Sequence, residues 1–450
     1  MAMKLAGIGL FVATGLLTGA AVPGAPDVAA ARRAALEEAT RALGRPVAGV
    51  QVAVAHDGTL AFADSFGLAD AADHRPLGND TVFHIASISK NILAAVVVRL
   101  AEQRRLSLDD GVTKYVATAP THGARITVRQ LLNHTSGLYN FTARPDAEAN
   151  EQKVLSQQQV IGLFKDHPLD FPPGSSWRYS NSAVYLAGMV VEAVTGRPYA
   201  DYVRDDVFRP LGMASSSLCG AHDVPGLASG HAVASGALAT TAITWSLPFA
   251  AGAVCATAAD LTRWQSALES GRFISRQSLA MMRTATVLAD GSRIDYGLGT
   301  RIGAIGRHAV FGHTGGGGGF ATMLMTAPDA KLTVVVLTNT DGAPPYDIAE
   351  LTMRAALQEP RRPPLNLEAP ADELAAIAGI YESDEGRLEL SACGRRLCAH
   401  VPDPTPAPRQ GPNRYHARPG IEARFDRTHG APWAFVYGGG LLMDAKRRIR

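Results

Sequence analysis

Ser87 and Lys90 stand three residues apart at the head of an apolar segment, and on a helix that spacing places both side chains on one face. A serine hydroxyl attacks a carbonyl only when a neighbouring base takes its proton, and a lysine one turn away is within reach. The surrounding Ile92, Leu93, Val96, Val97 and Leu100 promise burial, which favours the neutral amine such a base needs. The helix N-terminus adds backbone N–H groups, one of which can face a developing oxyanion. A pair at this spacing also arises by chance in 450 residues, so its meaning depends on its companions.

Two further triplets accompany it. Tyr179-Ser180-Asn181 comes after Phe171-Pro172-Pro173-Gly174 and Trp177, a turn that would present Tyr179 and Asn181 on a rigid loop. The tyrosine hydroxyl can pass a proton, and the asparagine amide can hold a substrate carbonyl. Taken alone, the triplet is better explained by a core tyrosine in a turn. His313-Thr314-Gly315 is expected to end a strand and meet Gly316 to Gly319. Without a Cβ, Gly315 would let substrate lie along the strand edge, and N–H groups of Ser87 and Gly316 would form the oxyanion hole. Gly316, Gly318 and Ala321 also fit a loose dinucleotide spacing. The next segment, however, reads as a strand and not as a helix whose N-terminus could hold phosphate, so nucleotide binding is not expected. No second histidine or carboxylate stands at ligand spacing beside His313, and the four cysteines form no C-x-x-C pair, so no metal is expected either.

The elements that must position these groups can be read from hydrophobic pattern. Ala30 to Leu43 reads as a helix. Val47 to Ala55 and Leu60 to Phe66 read as strands around His56-Asp57-Gly58. The helix from about Ser87 to Arg104 is apolar nearly all round, as in a helix buried at a domain centre. Residues 106–300 read as mainly helix and loop, with Asp260 as the cap of one helix. Ala309 to His313, Phe320 to Met325 and Leu332 to Thr338 read as strands, with a helix from Tyr346 to Leu357 after them. Strands at both chain ends with helices between predict an α+β domain over residues 26–358, built on one antiparallel sheet. Residues 359–371 read as a linker, and 372–450 as a small β-rich domain with strands from Tyr381 to Val401 and Trp433 to Met443.

Composition bounds the partners. The chain is 46% hydrophobic and 19% charged, with a net charge of +2 that leaves no footprint for nucleic acid. The closing Lys446-Arg447-Arg448-Ile449-Arg450 reads as a solvated tail. Lys4, the apolar run Leu5 to Leu17 and the small residues Ala20, Ala21 and Ala25 predict an export signal over residues 1–25. The run is short of the ~20 residues that span a bilayer, and no later segment is long enough, so a periplasmic or secreted protein without a membrane span is expected. Cys219, Cys255, Cys393 and Cys398 allow two disulfides in an exported chain, and Cys393 and Cys398 flank a hairpin-like turn.

With its motifs in this order, the chain resembles the serine β-lactamase and D-alanyl-D-alanine carboxypeptidase superfamily from about Ala30 to Leu357. Leu131 to Leu138, Ala251-Gly252-Ala253-Val254 and Tyr296-Gly297-Leu298-Gly299 add to the likeness. His-Thr-Gly, rather than Lys-Thr-Gly, is similar to actinomycete D,D-carboxypeptidases and D-amino-acid-specific peptidases. The resemblance implies Ser87 as nucleophile, Lys90 as base, Tyr179 as proton relay, Asn181 and Thr314 as substrate contacts and Arg301 as holder of the substrate's C-terminal carboxylate. It implies a small peptide, β-lactam or ester as substrate, with no cofactor. Two departures bear on specificity. Gly316 stands where those carboxypeptidases carry a second threonine, and no Glu-x-x-Leu-Asn segment lies between residues 145 and 185, as a class A β-lactamase would require. The resemblance assigns His134 a structural place.

Overall fold

The computed structural model describes residues 25–361, 367–383, 386–400, 404–407, 409–418, 421–426, 428, 433–438 and 441–449. The predicted export signal lies outside the described residues. Helix α1 (Val28–Leu43) leads into a hairpin of β1 (Gly49–His56) and β2 (Thr59–Asp70). Asp57 and Gly58 close it with φ of +49° and +76°, the geometry that matches the strand twist. The central helix α2 (Ser89–Glu102) comes next, and then α3 (Asn181–Thr195) and α4 (Ala258–Glu269) in the helical lobe. The chain then returns to the sheet as β3 (Arg301–Ile305), β4 (His308–Gly317), β5 (Phe320–Ala327) and β6 (Leu332–Thr338), and helix α5 (Pro345–Ala356) closes the domain.

Spatial order is β3-β4-β5-β6-β1-β2, with each neighbouring pair antiparallel, so the sheet does unite both chain ends. Alternation along its strands sorts the core onto two faces. Val334 and Val336 of β6 and Met323 and Met325 of β5 pack towards α1 and α5 with Ala35, Ile348 and Met353. Val335, Leu337 and Leu324 face the opposite way, onto the cluster that contains α2. The sheet is therefore covered on both sides, which explains its near-continuous apolar strands.

Several elements differ from expectation. Thr257, not Asp260, caps α4, its side chain accepting from Asp260 N at 3.1 Å. Asp260 instead ties down the preceding loop through Ser215 N and Ser216 Oγ. Arg301–Ile305 is a strand that the sequence pattern did not reveal, because Arg301, Gly303 and Ala304 break the apolar alternation. The C-terminal strands are not a separate sheet. β7 (Gly379–Ser383), β8 (Gly386–Cys393) and β9 (Arg396–His400) continue the main sheet through β11 (Leu441–Arg448), which joins β3 at Gly303 and Leu441. β10 (Trp433–Gly438) pairs with β11 on its other side. As far as Arg448 the basic run is correspondingly strand and not solvated tail: Lys446 is 8% exposed and bridges Asp444 at 2.6 Å within β11, while Ile449 is exposed. Cys219 pairs with Cys255 and Cys393 with Cys398.

Candidate active site

Ser87 sits in a tight turn, Ala86–Ile88, that feeds directly into α2. Ala86 adopts a left-handed backbone, φ +46°, a conformation alanine enters at a cost of about 1 kcal/mol or more. The turn is held there from several directions. Ile85 N donates to Val254 O at 3.0 Å, Ser89 Oγ donates to Ala86 O at 2.6 Å, and Thr322 Oγ1 of β5 donates to Ile85 O at 3.0 Å. Ser87 is partly exposed, whereas Lys90 is only 1% exposed. Lys90 Nζ lies 2.8 Å from Ser87 Oγ and donates to the Ala251 carbonyl at 2.8 Å, so the Ala-Gly-Ala-Val segment holds the amine towards the serine.

Tyr179 ends the loop before α3, with its ring centroid 4.9 Å from Lys90 Nζ. The loop is clamped by His134. The His134 carbonyl accepts from Arg178 N at 3.1 Å and its ring Nδ1 accepts from Ser180 N at 3.2 Å, one bond on each side of Tyr179. The two rings lie 4.4 Å apart. Asn181 lines the cleft, its Nδ2 donating to Thr142 Oγ1 at 3.0 Å and its N–H to Asn140 Oδ1 at 3.0 Å.

His313, Thr314 and Gly315 lie inside β4 rather than at its end, because pairing with β5 runs on to Gly317 and Phe320. On the other side β3 pairs only as far as Gly312, so among the described residues 313–317 have no strand partner there, and Gly316 and Gly317 line the cleft. Gly315 has a packing contact that its spacing did not suggest. A Cβ there would fall 2.3 Å from Ile85 O and 2.4 Å from Thr322 Oγ1, so its hydrogen lets the strand press against the turn that carries Ser87. Gly316 faces open space. Thr314, 4% exposed, stands on the opposite side of the strand from its two neighbours.

His313 belongs to a buried hydrogen-bond chain whose polarity is readable. His134 Nδ1 accepts, so its Nε2 carries the proton and donates to Tyr296 Oη at 3.1 Å. Tyr296 Oη donates to His313 Nε2 at 2.9 Å, and His313 Nδ1 donates to the Thr314 carbonyl at 2.6 Å. Both imidazoles are pushed well below the usual histidine range. Burial dominates, and the charges of Lys90 and Arg301 add to it. His134 and Tyr296 thus couple the Tyr179 loop to β4. Their signal in sequence was the Asn-His-Thr-Ser-Gly and Tyr-Gly-Leu-Gly segments, but only the fold shows them bonded. Gly299 of the latter segment, φ +55°, abuts the Lys90 carbonyl, which a Cβ would approach to 2.5 Å.

Arg301 is 4% exposed. Its Nη1 donates to the carbonyls of Leu442, at 2.6 Å, and of Met443. Its guanidinium carbon lies 5.5 Å from the Tyr179 ring centroid. The C-terminal strands also share a core with the catalytic loop: Trp433, Phe435, Tyr437 and Leu442 pack with Trp177, Tyr179, Ile294 and Tyr296. The cleft itself, about 210 Å³, is lined by Ser87, Asn181 and Gly316 to Gly318, with Phe141, Ile243, Leu247 and Pro248 as apolar walls.

A serine and a buried lysine at the head of a central helix, a tyrosine beside them and an open strand edge opposite define a serine hydrolase of the penicillin-recognising class. Residues 34–358 match the family model described as Beta-lactamase, and the chain belongs to that family. It is 28% identical over 318 residues to penicillin-binding protein 4* of Bacillus subtilis, covering 67% of this chain and 70% of that protein. It is 33% identical over 203 residues to the esterase EstB of Burkholderia gladioli, covering 42% of this chain and 51% of that protein. Among solved structures, a D-stereospecific amidohydrolase from a Streptomyces species superposes with a TM-score of 0.62 at 27% identity, covering 74% of this chain and 98% of that one.

Proposed function

We propose that the protein is an exported hydrolase that cleaves D-alanyl peptides and related amides through an acyl-enzyme on Ser87. The observation that carries this reading is the 2.8 Å approach of Lys90 Nζ to Ser87 Oγ beside Tyr179 and the open edge of β4. Lys90 takes the serine proton as Ser87 Oγ bonds to the carbonyl carbon. Backbone N–H groups of Ser87 and Gly316 receive the oxyanion. Tyr179 protonates the leaving group as its bond to the carbonyl carbon breaks. It then takes a proton from the water that releases the acid, so each proton borrowed in acylation is returned in deacylation. Asn181 orients the acyl chain. The name of one similar structure, a D-stereospecific amidohydrolase, supports a D-configured substrate. The esterase EstB among the relatives supports a second reading, a small ester. Export is supported by the N-terminal sequence pattern and by two disulfides, which persist in oxidising compartments.

The test is intact-protein mass spectrometry with a labelled penicillin, monitored over time. The reading predicts an adduct on Ser87 that disappears in Ser87→Ala, with steady release of D-alanine from a D-alanyl peptide by the wild type. No adduct together with brisk p-nitrophenyl ester hydrolysis would move the assignment to an esterase. An adduct on another residue would overturn it.

A further inference from the structure

We infer that His84 is a positioning residue for catalysis: its imidazole N–H grips the Gly252 carbonyl and thereby keeps the neighbouring Ala251 carbonyl on Lys90, so that the amine stays aimed at Ser87 Oγ. This deepens the hydrolase reading above and rests on it. His84 precedes Ser87 by three residues, is 2% exposed and lines the cleft together with Ala251 and Gly252. Its Nε2 lies 2.7 Å from Gly252 O, and a carbonyl only accepts, so Nε2 carries the proton. One peptide earlier, Ala251 O accepts from Lys90 Nζ at 2.8 Å. Both carbonyls lie at the end of the single helical turn Phe249–Gly252, whose closing hydrogen bond runs from Ala253 N to Phe249 O at 2.7 Å. Two side chains of the segment that carries Ser87 thus take up two consecutive carbonyls of the facing one.

Gly252 makes that grip necessary. Its Cα joins the two peptide planes that carry these carbonyls, and glycine resists rotation there less than any other residue. The plane after it is held by Phe249 O at its N–H end and by His84 at its carbonyl end. Without the second hold the plane can rock, and the Ala251 carbonyl turns with it. Lys90 Nζ then follows its acceptor, and misplacing a reacting group by about 1 Å costs about 10²-fold in rate. Packing alone does not account for an imidazole at this place. The ring meets Trp245 and Phe320 edge to face, with centroids 5.0 and 5.5 Å away, contacts that phenylalanine would also make. The imidazole makes them while burying Nδ1 without a hydrogen-bond partner among the described residues, a cost that a phenyl ring avoids. Desolvation pushes its pKa down to about 4, with the carbonyls of Gly252 and Gly317 opposing, so near pH 7 the ring is neutral and offers its one N–H.

The full-length protein is tested as His84→Phe, which keeps an aromatic ring without a donor, and as His84→Gln, whose amide nitrogen reaches the Nε2 site without a ring. The readouts are the maximal rate of Ser87 labelling by a fluorophosphonate, the reagent concentration that gives half that rate, and kcat/KM on a p-nitrophenyl ester, with Tm as the check on folding. Expected for His84→Phe is a maximal labelling rate and kcat/KM lower by about tenfold or more with the half-saturating concentration nearly unchanged, and for His84→Gln rates within about threefold of wild type. A His84→Phe protein that labels at the wild-type rate, or a His84→Gln protein as slow as His84→Phe, overturns the inference. Should His84→Phe not fold, His84→Asn takes its place, because its amide nitrogen falls at the Nδ1 position and short of the Gly252 carbonyl. An unlabelled Ser87 in the wild type would strike the acyl-enzyme reading instead.

Discussion

Replacing Gly315 by alanine inserts a methyl group where β4 touches the turn that carries Ser87. The new Cβ would fall 2.3 Å from Ile85 O, 2.4 Å from Thr322 Oγ1 and 3.1 Å from Ala86 Cβ. Thr322 can rotate, at the expense of its hydrogen bond to the same carbonyl. Ile85 O cannot move alone, because Ile85 N is anchored on Val254 O. Strand and turn must therefore part by about 1 Å, a displacement that in an active site costs about 10²-fold in rate. Overpacking of a buried junction costs about 1–3 kcal/mol of stability. The expected outcome for Gly315→Ala is a roughly 100-fold lower kcat/KM on a p-nitrophenyl ester, with a Tm only a few degrees lower. Gly316→Ala, whose Cβ meets nothing within 4 Å, should keep the wild-type Tm. A Gly315→Ala protein with unchanged kcat/KM would refute the idea that this contact sets the distance between the nucleophile and the strand edge.

The same geometry sets other outcomes. His134→Ala removes the acceptor of Ser180 N and the donor to Tyr296, so kcat should fall at least tenfold with about 2–4 kcal/mol of stability lost, read by steady-state kinetics and denaturant unfolding; a change in KM alone would contradict a role in holding Tyr179. His84, His134 and His313 are buried neutral, His84 with a pKa pushed down to about 4 chiefly by desolvation. The unfolded chain takes up protons near pH 6.5 that the folded protein refuses, so stability is full above pH 6.5 and falls as pH drops towards 4. Each such histidine contributes up to about 1.4 kcal/mol per pH unit, and a Tm that is flat from pH 7 to 4.5 would contradict this. Reducing the disulfides should lower both Tm and activity, because Cys255 lies in the Val254–Ala256 strand that pairs with Phe83 and His84 just before Ser87. Activity that persists at full rate in dithiothreitol, with the thiols counted as free, would contradict that link.

The motifs were legible because their chemistry is local. Ser87 and Lys90 are one helical turn apart, so their meeting needs only a helix. The α2 core, the β5 and β6 strands and the Asp57-Gly58 hairpin were legible for the same reason: period and turn chemistry are written in neighbouring residues. Long-range features were not. Asp260 looked like a cap because it stands at a helix start, but Thr257 three residues earlier takes that place once the helix begins at Ala258. Gly315 looked like a glycine for substrate, and its close contact with Ile85, 230 positions away in the chain, could not be seen. His134 showed no catalytic spacing, yet it brackets Tyr179 from both sides.

The basic C-terminal run shows the divide most plainly. Its charges suggested solvent, and hydropathy along the chain offered no reason to expect otherwise. Strand pairing places Lys446 against Ser383 of β7 and brings the carbonyls of Leu442 and Met443 onto Arg301. The sequence by itself determined that Ser87 and Lys90 meet on one helix, since this depends on side-chain types a few residues apart. Only the tertiary structure decided where the C-terminal strands lie and which carbonyls Arg301 Nη1 meets, because a main-chain carbonyl carries no sequence signature and acquires a partner only when a sheet edge is extended.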